Sequence, residues 1–401
     1  MTRTKRMLLA AIMSATAWAQ TRAIVPASGP KPVGPYSPGV MAGDYLYVSG
    51  QGAKAPDGRM PDTFESQVRQ TLENVKGVLT AAGLGMENVV YTHVYLEDIG
   101  NFDAMNRVYR EYFRSVPPAR AVIGVATLPG TPVEINAVAV RDASSKKAVD
   151  VPGLFRGEPV SAGILTADRL YVSGMLPRQA GDPQAEVSDA LASVKAVLEA
   201  ANMTLANMVF VNPYLTSTMP MRVMNEVYAQ HFEFGNTPGR ATIQVSALPA
   251  GANIEFTGVA VRDVNRRRAV RPKNMAPSPT ASPCVLAGDT LYCSAKSGFI
   301  PGVNGGIFAG TVETQLRQTM RNLLDGLEEA GMDFRNVVAT NVYLDDLNDF
   351  AAMNSLYAKY FSGVMPARTT IQQLPPGSRQ PTAEGIYQTF EQISLIAVRT
   401  N

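Results

Sequence analysis

One sequence unit occurs three times in this chain, and no other feature constrains the fold as strongly. The segments DYLYVSG, DRLYVSG and DTLYCSA each lead into an apolar stripe of helical period. A strand pattern, a second helix and a short turn ending in arginine complete each copy. The repeated arginines, Arg120, Arg240 and Arg368, lie 120 and 128 residues apart. The 401 residues therefore divide into three domains of ordinary size.

Each copy predicts the element order β-β-β-α-β-α-β-β, which is an α+β fold with a mixed sheet and two helices on one face. We predict domains at 24–145, 155–266 and 274–401, joined by linkers near 145–155 and 266–280, where charge and proline accumulate. The third domain is divergent, and its polar insertion near 377–390 predicts an extended surface loop. Three like units in one chain favour an intramolecular pseudo-trimer over independent beads on a string.

The first 19 residues have the pattern of a secretory signal peptide. A basic start, TRTKR, precedes a mostly apolar run of 11 residues and the small-residue site Ala17-Trp18-Ala19. We therefore expect cleavage before Gln20 and export, to the periplasm or out of the cell. A misassigned start would instead leave the protein in the cytoplasm. The apolar run is too short to span a bilayer, so we expect no membrane association after cleavage.

Composition excludes several classes of protein and of site. With 46% hydrophobic and 17% charged residues, the chain is neither intrinsically disordered nor a multi-span membrane protein. Two cysteines and two histidines leave little for a Cys or His metal centre, so we expect no metal and no cofactor. Removal of residues 1–19 leaves 33 basic and 34 acidic residues, a net charge of −1. This balance argues against a nucleic-acid partner.

Both cysteines, Cys284 and Cys293, fall in one predicted hairpin around Gly288-Asp289. Counting outward from a two-residue turn makes them directly opposed, as a non-hydrogen-bonded pair. The Cα separation of such a pair, about 4.5 Å, lies just inside the range that a disulfide accepts. The pattern predicts either a disulfide, in an oxidising compartment, or two small buried hydrophobic thiols.

Several motifs together resemble one known family. GPYSPGV, YVSGQ, LENVKGVLTAAGL, VYLEDIGNFDAMNRVYREYF, PPAR and VEINAVAV, in this order, resemble the Rid family of imine deaminases, also called YjgF-like or L-PSP endoribonuclease-like. The resemblance covers essentially all of the first two units and most of the third. It implies chorismate-mutase-like domains that form trimers, with sites for small imino or keto acids in the clefts between subunits. Here one chain would supply all three subunits.

The motif residues of the family carry over unevenly to the three units. The first unit matches at Tyr36, Ser49, Gly50, Asn106, Arg120 and Glu134. The second matches at Ser173, Gly174, Asn225, Arg240 and Glu255, with Val160 at the tyrosine position. The third matches at Ser294, Asn354 and Arg368, with Ala281, Ala295 and Gln392 in place of tyrosine, glycine and glutamate. We therefore expect the third unit's own set to be catalytically impaired.

These residue types suit the hydrolysis of an imine. The planar fork of an arginine matches a carboxylate, so the three arginines are expected to anchor the substrate. Glu134 and Glu255 are expected to position water and take its proton as it attacks the imine carbon. The Ser-Gly turns are expected to present backbone N–H groups to the carboxylate, because glycine allows close approach.

Structural roles are the alternative for each of these residues. The arginines can bridge subunits only, and both glutamates, on alternating strands, can face solvent. The asparagines can bond local backbone, and Tyr36 can pack against Pro35. His93 and His231 occupy unmatched positions in the repeats, which indicates structural roles.

The leading functional hypothesis is cofactor-independent deamination of enamines or 2-imino acids to 2-keto acids and ammonia. A non-catalytic binder of small carboxylates is the alternative, and the lost tyrosine, glycine and glutamate equivalents favour it. A ribonuclease is a third interpretation, against which the mature net charge and the absence of a histidine pair argue. Chorismate-mutase chemistry is suggested only by the type of fold, which does not define function.

Overall fold

The computed structural model describes residues 21–155, 157–179, 181–273, 275–302, 306–374 and 378–399. The predicted signal peptide, residues 1–19, lies outside these ranges. Three mixed sheets are present, and two helices accompany each one, which confirms the predicted α+β fold in three tandem copies. Among the described helices, none combines the length and the apolar character that crossing a membrane requires.

The first domain follows the predicted element order. Its elements are β1 (Arg22–Ile24), β2 (Gly39–Ala42), β3 (Tyr45–Gln51), α1 (Phe64–Ala81), β4 (Val89–Leu96), α2 (Phe102–Tyr112), β5 (Ala119–Gly124) and β6 (Val133–Val140). The strand order in the sheet is β1-β2-β3-β6-β4-β5. Strands β4 and β5 are parallel, and α2 forms the crossover that a parallel pair needs.

The other two domains repeat this topology. The second contains β7 (Lys147–Val149), β8 (Gly163–Leu165), β9 (Arg169–Met175), α3 (Pro183–Ala200), β10 (Met208–Leu215), α4 (Met221–Ala229), β11 (Gly239–Arg240), β12 (Ile243–Gln244) and β13 (Ile254–Val261). The third contains β14 (Arg267–Val270), β15 (Cys284–Ala287), β16 (Thr290–Ser297), α5 (Val312–Glu329), β17 (Val337–Leu344), α6 (Phe350–Tyr357), β18 (Ala367–Gln372) and β19 (Glu391–Val398).

Two short strands lie in the segments that the sequence presents as linkers. Strand β7 pairs with β8, and β14 pairs with β15, so each is the edge strand of the domain that follows it. Both precede the predicted domain starts at 155 and 274. Edge strands of three or four residues that include lysine or arginine are too short to show the alternation of apolar and polar residues that identifies a strand. Two of the five basic residues at 266–273, Arg267 and Arg268, therefore belong to a sheet rather than to a linker.

The apolar stripe of each first helix packs on its own sheet. In α1, Val68, Leu72, Val75 and Leu79 are fully buried in a cluster that includes Ile135 of β6. The side chain of the residue before each of these helices accepts a backbone N–H from its first turn and so caps it. Because the helices cover one face of each sheet, the opposite face is free to meet the neighbouring domains.

The cysteine hairpin has the predicted register. Cys284 pairs with Cys293 across β15 and β16, with a Cα separation of 4.0 Å. The two sulfur atoms lie 1.99 Å apart, which is a bonding distance. Helix α5 approaches this pair at Gly326, where a Cβ would lie 2.6 Å from the sulfur of Cys284. Disulfide formation in the exported protein stays a prediction.

The insertion of the third domain forms neither helix nor strand over residues 378–390, as the surface-loop prediction requires. Its Arg379 reaches back to the connection between β17 and α6. The guanidinium lies 3.1 Å from Asp345, 3.4 Å from Asp346 and 2.6 Å from Asp349. The loop is therefore tied to its own domain.

Hydrogen bonds link the three domains in a fixed direction. At each junction the backbone N–H of the repeated arginine donates, over 2.8 Å, to the serine hydroxyl of another domain's Ser-Gly or Ser-Ala motif. The pairs are Arg120 with Ser173, Arg240 with Ser294, and Arg368 with Ser49. The last pair returns from the third domain to the first across 319 residues of sequence.

The uncovered sheet faces contribute to buried clusters that contain residues of all three domains. His93 lies among these residues, and its Nε2 is 2.9 Å from the hydroxyl of Tyr91 and 2.7 Å from that of Tyr214. Burial lowers the pKa of His93 to about 3, so the ring is neutral near pH 7. Nearby, the amide of Asn136 donates to the hydroxyl of Thr369, 2.9 Å away in the third domain.

The substitution Ser49→Ala tests the junction between the third and first domains. It leaves the N–H of Arg368 buried without an acceptor, which costs about 1–3 kcal/mol. We expect a lower urea midpoint for Ser49→Ala, and similar losses for Ser173→Ala and Ser294→Ala. Ser188→Ala, at an exposed position of α3, is the matched control. A Ser49→Ala midpoint equal to that of the control would contradict the assigned role.

Candidate functional site

Each junction brings the arginine of one domain to the glutamate position of another. We call the three places the third–first cleft (Arg368 with Glu134), the first–second cleft (Arg120 with Glu255) and the second–third cleft (Arg240 with Gln392). The two side chains of each pair come from different sheets, because the arginine strand of one domain runs beside the Ser-Gly or Ser-Ala turn of another. The motif residues of a single domain therefore do not form a site by themselves.

The third–first cleft contains the complete set of motif residues. The first domain provides Tyr36, Gly50 and Glu134, which line one cavity. The third domain provides Arg368, whose guanidinium carbon lies 5.3 Å from the centre of the Tyr36 ring. Asn354 lies beside Arg368, because both approach the same point at Gly34. A Cβ placed on Gly34 would be 2.4 Å from Arg368 Nη2 and 3.1 Å from the Asn354 amide.

The guanidinium of Arg368 is buried and incompletely paired. The residue is 3% exposed, and its Nη1 has no hydrogen-bond partner among the described residues. The side-chain oxygen of Asn354 is also buried without a partner there. A buried charged donor without an acceptor is costly, so an anionic ligand at this point would stabilise the site. A carboxylate matches the fork of an arginine.

Glu134 lies on the other side of this cleft and is 7% exposed. Burial raises its pKa to about 8, and the positive charge of Arg368 opposes the rise. The alternative that this glutamate faces solvent is therefore wrong. A carboxyl group with a pKa close to working pH can both give and take a proton, which suits general acid–base chemistry.

The glycine of the Ser-Gly motif makes room for the glutamate of its own domain. A Cβ at Gly50 would lie 1.8 Å from the carboxylate oxygen of Glu134, and Gly174 has the same relation to Glu255, at 1.9 Å. The sequence had suggested close approach to a ligand instead. The third domain has Ala295 at this position, and the side-chain amide of Gln392 donates to the backbone carbonyl of Thr242 at 3.3 Å and to the side-chain oxygen of Gln373 at 3.0 Å.

The serine hydroxyls of the motif serve the domain junctions. Ser49 accepts from the backbone of Arg368 and donates to the carbonyl of Ser37, 2.6 Å away. Ser173 accepts from the backbone of Arg120 and donates to its own domain in the same way. Their hydroxyls are thus engaged in packing, although the sequence had placed both serines among the ligand contacts.

The first–second cleft has its arginine paired with an internal carboxylate. Arg120 Nη2 lies 3.5 Å from Glu158 of the second domain, and the guanidinium stacks 4.6 Å from the ring centre of Tyr109. Burial raises the pKa of Glu255 to about 8, and Arg120 opposes this rise. The side-chain oxygen of Asn106 is buried without a partner among the described residues.

The second–third cleft has no glutamate at the position of Glu134 and Glu255. Arg240 donates to the side-chain oxygen of Asn225 over 2.8 Å, so this asparagine bonds the arginine rather than local backbone. Gln392 replaces the glutamate and has no acidic proton to exchange near neutral pH. Ala281 replaces the aromatic ring that Tyr36 provides in the third–first cleft.

Glu158 is a functional candidate that no family motif identifies. It stands two residues before Val160, as Gly34 stands two residues before Tyr36. Superposition of VGPYS at 33–37 on GEPVS at 157–161 would have revealed that a carboxylate occupies a glycine position. The described residues contain no group of three or more His, Cys, Asp or Glu able to hold a metal ion, so these carboxylates are not assigned as metal ligands.

The chain is similar to known proteins in each of its repeats. The family model for endoribonuclease L-PSP matches residues 26–141, 157–262 and 273–379. A RutC family protein of Saccharolobus solfataricus is 45% identical over 113 residues, which are 27% of this chain and 90% of that protein. The 2-iminobutanoate/2-iminopropanoate deaminase of Capra hircus is 43% identical over 123 residues, which are 30% of this chain and 90% of that protein. The crystal structure of E. coli TdcF with bound serine is 35% identical, with a TM-score of 0.30, and covers 30% of this chain and 99% of that one.

The raised pKa of Glu134 predicts a pH-dependent stability difference. An unfolded glutamate loses its proton near pH 4.5, whereas folded Glu134 keeps it to about pH 8, so the parent loses stability as pH rises between these values. Glutamine imitates the protonated form at every pH. We expect the urea midpoint of Glu134→Gln, relative to the parent, to increase from about pH 5 to about pH 9. Glu255→Gln should behave in the same way. A difference in urea midpoint between variant and parent that stays constant with pH would contradict the raised pKa of the buried carboxyl group.

Proposed function

The chain belongs to the endoribonuclease L-PSP family, and we propose that it hydrolyses 2-imino acids to 2-keto acids and ammonia in the third–first cleft. One observation supports this choice above the others. Arg368 presents a buried Nη1 without a partner among the described residues, opposite a buried glutamate that has a pKa near 8. An anion anchor and a proton-exchanging group are therefore close enough for the charge of Arg368 to act on the pKa of Glu134.

The proposed reaction requires only water and these side chains. The substrate carboxylate binds the guanidinium of Arg368, which places the imine carbon toward Glu134. Glu134 accepts a proton from a water molecule while the oxygen of that water forms a bond to the imine carbon. The C=N π electrons pass to the nitrogen, and Glu134 returns the proton to it, which gives a carbinolamine. The carbinolamine hydroxyl then passes its proton, through Glu134, to the nitrogen. The C–N bond breaks, ammonia leaves with the bonding electron pair, and a C=O bond forms, so that the 2-keto acid is released.

The names of two relatives support the class of substrate. Capra hircus and Homo sapiens proteins that are 43% and 41% identical to part of this chain are 2-iminobutanoate/2-iminopropanoate deaminases. We therefore infer short, aliphatic 2-imino acids as substrates. The cavity that Tyr36, Gly50 and Glu134 line offers a place for a small side chain.

We further infer that the three domains close into an intramolecular pseudo-trimer. The hydrogen bonds that run from first to second, second to third and third back to first domain support this arrangement. We also keep export as a proposal, on the pattern of residues 1–19. The pseudo-trimer would bring the first and third domains of one chain together at the third–first cleft, and export would not change this arrangement.

A small-carboxylate binder remains the second candidate, because Gln392 shows that one repeat of this chain keeps its arginine without the glutamate proposed to activate water. The two candidates differ in one respect that experiment can measure, which is whether the chain accelerates keto-acid release.

The test is an imine-hydrolysis assay with protein that lacks residues 1–19. An amino-acid oxidase generates the 2-imino acid in place, semicarbazide competes for it, and release of the keto acid is followed. We expect the parent to accelerate hydrolysis and Glu134→Gln to lower kcat by about 100-fold or more. Arg368→Lys should mainly raise KM, because lysine keeps the charge but loses the planar fork.

The control for these variants is Arg222→Lys, at an exposed position of α4 where the arginine pairs with Glu226. It should leave the rate unchanged. A parent that accelerates none of several 2-imino acids would contradict the enzyme and favour the carboxylate binder. Full activity in Glu134→Gln would instead contradict the role given to this glutamate.

A further inference from the structure

The three repeated arginines, of which Arg120 and Arg368 are buried and Arg240 is half-buried, have three different environments. Arg240 donates to Asn225, 2.8 Å away in its own domain. Arg120 Nη2 lies 3.5 Å from the carboxylate of Glu158. Among the described residues, Arg368 alone of the three has a guanidinium nitrogen that is buried without an acceptor. The repeats have therefore diverged in how their anion anchors are satisfied.

Glu158 stands at a position that lies against the guanidinium. Its counterpart in the first domain is Gly34, where a Cβ would be 2.4 Å from Arg368 Nη2. The backbone contact beside this position also recurs, since Ser37 N–H donates to the carbonyl of Pro366 and Ser161 N–H to that of Pro118. A glutamate in place of this glycine brings a carboxylate directly to the arginine.

The carboxylate of Glu158 lies within the cavity that a substrate would use. Arg120, Gly174 and Glu255 line the same cavity as Glu158. The side chain of Glu158 is 37% exposed and that of Arg120 is 2% exposed, so the carboxylate reaches the buried charge from the solvent side. Glu158 also contributes to the raised pKa of Glu255, which indicates that the two carboxyl groups are close.

We propose that Glu158 is an internal ligand of Arg120 that closes the first–second cleft to 2-imino and 2-keto acids, so that the chain has one open carboxylate site, at Arg368. The proposal rests on the proposed function, since it states which of the three clefts serves that function. An incoming carboxylate would have to displace Glu158 and to enter beside Glu255, and like charges at short range repel each other. In the second–third cleft, Asn225 already accepts from Arg240.

Binding stoichiometry tests this proposal. Equilibrium dialysis with radiolabelled pyruvate, the keto acid that corresponds to 2-iminopropanoate, gives the number of sites per chain. We expect one site in the parent and two in Glu158→Ala. Glu158→Gln removes the charge but keeps the shape, so it should also bind two and covers the case in which the alanine variant fails to fold. Glu199→Ala, at an exposed position of α3, is the control and should bind one.

Two further variants locate the sites. Arg120→Ala in the Glu158→Ala background should return the count to one, and Arg368→Ala in the parent should reduce it to zero. Two or more sites in the parent, or one site in both Glu158 variants, would overturn the closure of this cleft and leave the proposed reaction intact. No site in the parent would overturn the proposed function together with this inference.

Discussion

The hydrogen bond from the backbone N–H of each repeated arginine to the serine hydroxyl of another domain determines where the rest of the site lies. It fixes the arginine strand of one domain beside the Ser-Gly or Ser-Ala turn of the next, over 2.8 Å in all three junctions. The guanidinium then emerges opposite the strand that carries Glu134, Glu255 or Gln392. Because donor and acceptor are both buried, loss of either one leaves an unsatisfied polar group, which is costly. The same contact thus joins the domains and places the charges.

Burial of the arginines gives each cleft its chemical character. A guanidinium that is removed from water needs an acceptor. Arg120 lies beside an internal carboxylate, Arg240 donates to an amide, and Arg368 has one nitrogen without a partner among the described residues. Burial also raises the pKa of Glu134 and Glu255 toward neutrality, which gives these carboxyl groups an exchangeable proton at working pH. A homotrimer of one domain has three equal clefts by symmetry. A single chain of three repeats allows each cleft to change independently, and the substitutions at the positions of Gly34 and Tyr36 show where this has happened.

Much of this fold could be predicted from sequence because apolar periodicity reports which face of an element is buried. The element order and the pairing of Cys284 with Cys293 both follow from such local patterns. Strands β7 and β14 were missed because edge strands of three and four residues are too short to show an alternation of apolar and polar residues. The candidate site residues came from the resemblance to a known family, but which of them lie together came from the structure. No local pattern reveals that Arg368 faces Glu134 rather than Gln392, that Ser49 bonds another domain, or that Glu158 reaches Arg120, since all three depend on contacts between domains.

A crystal structure of the protein with bound pyruvate would test the central claim most directly, that the working site is formed where the third domain meets the first. The account predicts one ligand per chain, with its carboxylate on the guanidinium of Arg368 and its carbonyl carbon facing Glu134. Glu158 should remain on Arg120 in the same crystal. Equal occupancy of all three clefts, or a ligand bound away from Arg368, would contradict it.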